Sequence, residues 1–375
     1  MKMTTILTQR ARRCAVQALV LAAVLSAPAC EEIYDSEGDC DPRYYVQFVY
    51  DMNMLGLENG TYADAFYSMA TSVNLYIFDA ESGDYLTCIP ELDRQVLADR
   101  NYRMPLDLEP GNYYFVAWAN LASSDNFSVP TTIADTSDLV CTLARREFAS
   151  VFDCDRNLNK YGLFHGAVQA ELPDSAGDHI VTVRMTKNTN NIVLSLSHTA
   201  GLIDPNRFSV TLTDANGRMA HDNTLLPDQV ITYRPWSVRS GYLDLGDSQP
   251  ADSTSAGTDG GDTSRAILAT RADSIMPDTA TFFIAEIGTA RLMADHEARI
   301  TITDTETGKT VFSIPFVQYA LKLRSANYHY MSPQEYLDRE DDYNLMVFLT
   351  DSGERWTALE IVINGWHIIS HEVEF

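Results

Sequence analysis

Leu108-Glu109-Pro110-Gly111-Asn112-Tyr113-Tyr114-Phe115-Val116-Ala117-Trp118 is the stretch on which the fold class turns. Its first five residues place Pro and Gly where a tight turn accepts them. The six that follow form an apolar, aromatic run consistent with a central strand.

Outward from there the chain reads mostly as strands: 44–50 (YYVQFVY), 73–78 (VNLYIF), 162–168, 180–185 (IVTVRM) and 192–196. Further strands are expected at 208–213, 281–287, 299–303, 311–316, 345–350, 359–363 and 366–375. Turn material separates them, including Glu81-Ser82-Gly83-Asp84, the hairpin signal Asp214-Ala215-Asn216-Gly217, and Thr307-Gly308. Two segments read as helix. Val140, Ala144, Phe148 and Phe152 recur every four residues behind Ser137 and Asp138, one face of a short helix. Ser332-Pro333-Gln334-Glu335 is a capping box with proline at the first helical position, so a helix should run through Arg339. Many short strands with regular turn signals predict an all-β protein of two tandem antiparallel β-sandwich domains, 43–187 and 188–375, joined near 187–191. The Ser/Thr/Gly/Asp-rich stretch 246–273 lacks periodicity and reads as a mobile loop of the second domain.

Residues 1–29 carry Lys2, Arg10, Arg12 and Arg13, then an apolar run from Cys14 to Ala27 and Pro28-Ala29 ahead of Cys30. A basic head, a short apolar middle and small residues before a break define a signal peptide. The run is shorter than the ~20 residues a membrane-spanning helix needs. Cys30 stands where a lipoprotein carries its lipid, although Ala27 occupies the position where leucine is usual. Residues 30–42 form an acidic tether. Formal charge is −25 and becomes −29 without the four leader cations, which argues against nucleic acid and anionic lipid as partners. Cys40, Cys88, Cys141 and Cys154 would meet an oxidising compartment after export and are disulfide candidates with three possible pairings.

No catalytic constellation is found: His296-Glu297 and His371-Glu372 lack the second histidine of a zinc-protease helix, and no nucleophile elbow or phosphate loop is present. Asp153, Asp155, Asn157 and Asn159 alternate like the start of a calcium loop. Leu158 in place of the glycine and Phe164 in place of the bidentate Glu exclude an EF-hand. No metal or cofactor is therefore expected. Trp118 and Trp366 read as core, and His165 as a structural residue. At the C-terminus His367, Ile369, His371, Val373 and Phe375 share one face of a half-buried strand. Ile369, Val373 and Phe375 are its candidate partner-binding residues.

Five features resemble the FimB-type fimbrial anchor family, whose members seat type V fimbriae in the outer membrane of anaerobic Gram-negative bacteria. They are the lipoprotein leader, Asp39-Cys40-Asp41 before Phe48-Val49-Tyr50-Asp51, and Leu108 to Tyr113 running to Trp118-Ala119-Asn120. Leu163-Phe164-His165-Gly166, and Glu335-Tyr336-Leu337-Asp338-Arg339 with Ile363-Asn364-Gly365-Trp366, complete the set. The resemblance implies two transthyretin-like β-sandwiches, palmitate-type lipid on Cys30 and a fimbrial stalk subunit as partner, engaged by strand addition. It also points to Asp174-Ser175-Ala176, Asp273-Ser274-Ile275 and Asp278-Thr279-Ala280 as O-glycosylation acceptors. The expected function is a non-enzymatic, lipid-anchored fimbrial subunit at the outer membrane; the alternative is a surface glycan-binding lipoprotein of a nutrient-uptake system. A glycan binder presents exposed aromatics, and an anchor presents a strand or groove.

Overall fold

The computed structural model describes residues 41–58, 61–148, 151–198, 204–244, 279–351, 356–363 and 366–369. The leader, Cys30, Cys40, the 246–273 stretch and the final residues 370–375 lie outside them. Tyr44–Asp174 and Asp178–Phe375 belong to one compact unit.

In chain order the strands of the first half are β1 (Pro42–Met52), β2 (Leu57–Glu58), β3 (Thr61–Tyr62), β4 (Val73–Asp79), β5 (Tyr85–Glu91), β6 (Met104–Leu106) and β7 (Gly111–Ala119). There follow β8 (Phe127–Ser128), β9 (Cys141–Leu143), β10 (Arg146–Phe148), β11 (Val151–Cys154), β12 (Phe164–Leu172) and β13 (Gly177–Lys187). Seven of them form one sheet in the order β5-β4-β7-β12-β13-β1-β6. The turn at 108–112 delivers β7 into the middle of it, between β4 and a nine-residue antiparallel register with β12. Strands β12 and β13 pair only at Phe164↔Lys187 and His165↔Thr186. The sheet folds over at that corner, and its two parts enclose one core. Tyr44, Val46, Phe48 and Tyr50 of β1 and Val183 and Met185 of β13 pack there with Leu75 and Ile77 of β4 and Phe115 and Ala117 of β7. Gly166 marks the corner: a Cβ there would lie 2.5 Å from the Arg184 carbonyl oxygen and 2.7 Å from Val183 and Met185.

The continuous apolar run of β7 has a definite cause. Phe115, Ala117 and Ala119 face this first core, while Val116 and Trp118 face a second. Tyr76 and Phe78 of β4 do the same. The rest of the chain runs as β14 (Thr189–His198), β15 (Phe208–Asp214), β16 (Arg218–Met219), β17 (Ile231–Tyr233), β18 (Ser237–Asp244), β19 (Thr279–Ala290), β20 (Arg299–Asp304), β21 (Thr310–Pro315), β22 (Asp342–Asp351), β23 (Trp356–Ile363) and β24 (Trp366–Ile369), of which β14–β17 and β19–β22 supply side chains to the second core. These build two six-stranded sheets, β10-β11-β17-β15-β20-β21 and β18-β19-β14-β22-β23-β24, with a three-stranded sheet β16-β9-β8. The all-β sandwich class is borne out. Pairing is mostly antiparallel; β11 with β17 and β14 with β22 run parallel.

Three local readings need correction. The four-residue spacing of Val140 to Phe152 is not helical: after a short 3-10 turn at Thr136–Asp138 the segment runs as β9, β10 and β11. A spacing of four is also twice the strand period, and Cys141, Thr142, Val151 and Phe152 favour the extended chain. The turn's cap is Asp135, whose carboxylate accepts from the Ser137 N–H. The turn Asp214-Ala215-Asn216-Gly217 exists, but β16 leaves β15 and pairs with β9 instead. Here Gly217 serves close approach, since a Cβ would come within 2.5 Å of Ile231. Finally, 127–154 lies within the span expected for the first sandwich, yet β9 and β11 are laddered to β16 and β17 of the second half. The Ser332 box forms as read: its hydroxyl accepts from the Glu335 N–H at 3.1 Å and opens the helix Pro333–Arg339.

Because backbone and two packed side chains surround Gly166, a methyl group cannot be placed there without moving the corner. Gly166→Ala should lower stability by about 2–3 kcal/mol, and urea unfolding with an unchanged m-value checks it.

Candidate functional site

The sequence-predicted residues do not converge on a chemical centre. Cys88, Cys141 and Cys154 are free thiols in the structure, which corrects the expectation of disulfides among these three. Cys88 on β5 faces Tyr76 across the ladder, and burial pushes its thiol up to about 11. Cys141 and Cys154 are core residues of different sheets and are also raised by burial. Thiols so disfavoured as thiolates are inert packing groups. The calcium-like carboxylates are spoken for: Asp153 pairs with Arg234 at 3.1 Å and Asp155 with Arg146 at 2.6 Å. No group of metal-ligating side chains occurs among the described residues. Ile369 ends β24, the last strand of its sheet, opposite Glu360; Val373 and Phe375 lie outside the described residues.

What the structure brings together instead is a polar network, a seam beside the junction of the two halves; His165 to the His221 carbonyl, Arg339 to the Asp51 carbonyl and Lys187 to Asp341 cross it, and the other bonds brace it from within one half. Asn120, after Trp118-Ala119, adopts a left-handed backbone (φ 64°) that asparagine tolerates. Its side chain accepts from the Thr71 N–H (2.7 Å) and donates to the carbonyls of Met69 (3.1 Å) and Tyr161 (2.6 Å). His165 is buried, edge-on to Trp118 with ring centroids 4.5 Å apart. Its Nε2 donates to the His221 carbonyl at 2.8 Å, a bond that assigns the proton to Nε2. Burial pulls its pKa down to about 4.

The helix Pro333–Arg339 is the other side of the seam. Asp338 holds Arg291 through two bonds of 2.8 Å, and Arg291 Nη1 donates to the Asn223 carbonyl at 2.6 Å. Asn223 and Asn188 exchange side-chain amide bonds of 3.1 and 2.5 Å. Arg339 Nη1 donates to the Asp51 carbonyl at 2.8 Å, its Nε meets Glu335 at 3.0 Å, and its guanidinium lies 4.5 Å above the Tyr62 ring. Asp51 in turn pairs with Arg184, and Lys187 with Asp341. Tyr233 donates to Asn216 at 2.6 Å, and Asn216 donates to the Arg291 carbonyl at 3.0 Å. This arrangement can fix two halves in one geometry; it contains no nucleophile–base pair and no open cation. Asn216 enters the sequence reading only as part of a hairpin turn, and Arg291, Asn188 and Asn223 are not singled out by sequence, where the signal is the cluster of amides at 187–191.

Fold and polar network together define an all-β sandwich protein whose two halves are held in one geometry. The family described as fimbrillin-A associated anchor proteins Mfa1 and Mfa2 matches residues 36–372, and the chain belongs to that family. It is 23% identical over 357 residues to the minor fimbrium anchoring subunit Mfa2 of Porphyromonas gingivalis, covering 92% of this chain and 91% of that one. The fold superposes on a candidate adhesin from Bacteroides thetaiotaomicron with TM-score 0.67 and 28% identity, covering 87% of this chain and 97% of that one. The solved structure of the fimbrial anchor protein Mfa2 from Porphyromonas gingivalis aligns at TM-score 0.58 and 18% identity, over 88% of this chain and 100% of that chain. The expected resemblance to fimbrial anchors is borne out, and the chain is a non-enzymatic fimbrial subunit of the cell surface. Among the described residues no helix is long and apolar enough to cross a membrane.

Two outcomes follow from the seam. Arg291 and Asp338 are both nearly buried, so removing one leaves the other unpaired. Asp338→Ala should cost about 3 kcal/mol, and a double-mutant cycle with Arg291→Met should recover part of it. His165 has its folded pKa depressed below 6.5, so the unfolded chain binds a proton first as pH falls. Its contribution is intact above pH 6.5 and lost progressively down to about pH 4, on the order of 3 kcal/mol in all. Denaturant midpoints of wild type and His165→Gln across this window should converge at low pH.

Proposed function

We propose that the chain is a lipid-anchored fimbrial subunit, held at the outer membrane through acyl chains on Cys30. It attaches or caps a fimbrium there by strand-type contacts with a stalk subunit. Membership of the anchor family carries this reading. The acidic tether from Glu31 to Asp41 supplies a hydrated spacer between lipid and β1. Several acyl chains, each methylene contributing about 0.8 kcal/mol, hold such a protein to a bilayer without a spanning helix.

The strand contact is assigned to the C-terminal end. Strand β24 closes one edge of its sheet, with four residue pairs from Glu360↔Ile369 to Ile363↔Trp366. Residues up to Ile369 are thus engaged within the chain's own sheet, and the docking role falls on 370–375, with Val373 and Phe375 as the apolar contacts. A segment that adds to a partner's sheet as a strand gains affinity from backbone bonds and specificity from alternate side chains.

Two measurements test the proposal. Cys30→Ala should move the protein from the membrane to the soluble fraction; unchanged fractionation with a mature N-terminus elsewhere would remove the lipid claim. Deleting 370–375 should leave the melting temperature in place and abolish capture of the stalk subunit. A large drop in melting temperature would make the segment an internal strand, and normal melting with normal capture would move the docking surface to another edge.

A further inference from the structure

The link between the helix Phe316–Asn327 and the helix Pro333–Arg339 carries Tyr328, His329 and Tyr330. Together with Tyr336 and Tyr62 they form a file of rings graded from core to solvent. Tyr336 is buried, and Tyr328 packs on it with centroids 5.7 Å apart. Tyr330 stands edge-on to Tyr328 at 6.4 Å and to His329 at 6.1 Å. Its hydroxyl lies 3.2 Å from that of Tyr62, which comes from the β2–β3 hairpin of the other half. Tyr330 is 63% exposed, more than any other tyrosine or tryptophan among the large apolar side chains left at the described surface.

The file is held from beneath. The Met331 N–H donates to the Tyr328 carbonyl at 3.0 Å, and Arg324 donates to the Met331 carbonyl. Arg339 fixes Tyr62 from behind while bonded to Glu335 and to the Asp51 carbonyl. Tyr330 therefore adds little to the core, yet it is kept in one place. A rigid aromatic with two side-chain torsions presents contact area at low entropic cost, which is what binding surfaces exploit.

The chemistry narrows the occupant. Aromatic faces offer an apolar platform, and each tyrosine hydroxyl has one donor and two acceptor sites. The Tyr62–Tyr330 contact uses one site on each, and the others remain for a ligand. The guanidinium at the site is already committed, and the chain carries a formal charge of −25. An acidic ligand is disfavoured on both counts. A sugar ring has an apolar C–H face, neutral hydroxyls at its rim and no charge. We propose that Tyr62, His329 and Tyr330 form a binding site for neutral saccharides, distinct from the C-terminal docking segment.

The experiment is a binding titration of the full chain against immobilised neutral oligosaccharides (α- and β-glucans, mannans and galactans) with sialylated and sulfated glycans as controls. Wild type should bind at least one neutral series. Tyr330→Ala should weaken it about tenfold, as expected for an aromatic anchor, and Tyr62→Phe by a smaller factor, both with unchanged melting temperature. Absence of neutral binding, preference for the acidic glycans, or full binding by Tyr330→Ala would overturn the proposal. Loss of stalk-subunit capture in Tyr330→Ala, with no saccharide bound by wild type, would make the file a protein contact and overturn it equally. Saccharide binding and capture through 370–375 are read separately, so failure of one leaves the other standing.

Discussion

Everything in this molecule depends on a pair of strands that has no solvent face. Strands β4 and β7 place Leu75, Ile77, Phe115 and Ala117 in one core and Tyr76, Phe78, Val116 and Trp118 in another. Burying a large apolar side chain is worth roughly 1.5–3 kcal/mol, so the seven large side chains among these positions bind the cores far more tightly than a linker would. Two domains on a bare connection move relative to one another by default. Here the outer face of the first sandwich is the floor of the second core. The parallel ladder of β11 with β17 adds backbone bonds across the same divide.

A shared apolar floor fixes distance but leaves orientation loosely specified, and that is where the polar seam acts. His165 reaches the His221 carbonyl, and Lys187 pairs with Asp341, only in one arrangement of the halves. Within the second half Asp338 grips Arg291 and seats the helix Pro333–Arg339, and Arg339 of that helix then reaches the Asp51 carbonyl and the Tyr62 ring of the first half. Such groups contribute little net free energy when paired and cost several kcal/mol when not. Their effect is to penalise every misaligned docking of the halves.

The boundary between what sequence discloses and what it hides follows from this division. Signals that are local in the chain were legible: the 108–112 turn, the continuous apolar run of β7 and the Ser332 capping box. The family-like segments could be quoted but not explained, because Asn120, His165 and Arg339 act on partners 41 to 288 residues away. The joint at 187–191 misled for a physical reason. Asn188, Thr189 and Asn190 look like a solvated link, yet all three are buried, with Asn188 and Asn190 bonded to distant amides and carbonyls. The 140–152 segment misled because periods of two and four coincide in a strand.

A fimbrial subunit has to transmit load from what it holds to what it is held by, and rigidity follows from where the stress-bearing elements sit. The C-terminal ladder β22-β23-β24 lies in the same sheet as β14. Strand β14 follows directly on β13, whose neighbour in the first sheet is β1, the first strand of the described residues. Strands β24 and β1 are therefore connected through laddered strands and one covalent joint. That joint is 187–191, the stretch buried and cross-bonded by the seam. A flexible linker there would let the halves peel apart one hydrogen bond at a time. With Lys187 paired to Asp341 and Asn191 laddered to Gly288 and Asp342, separation has to break the seam together with the shared core, so the buried polar joint is placed where mechanical continuity most needs it.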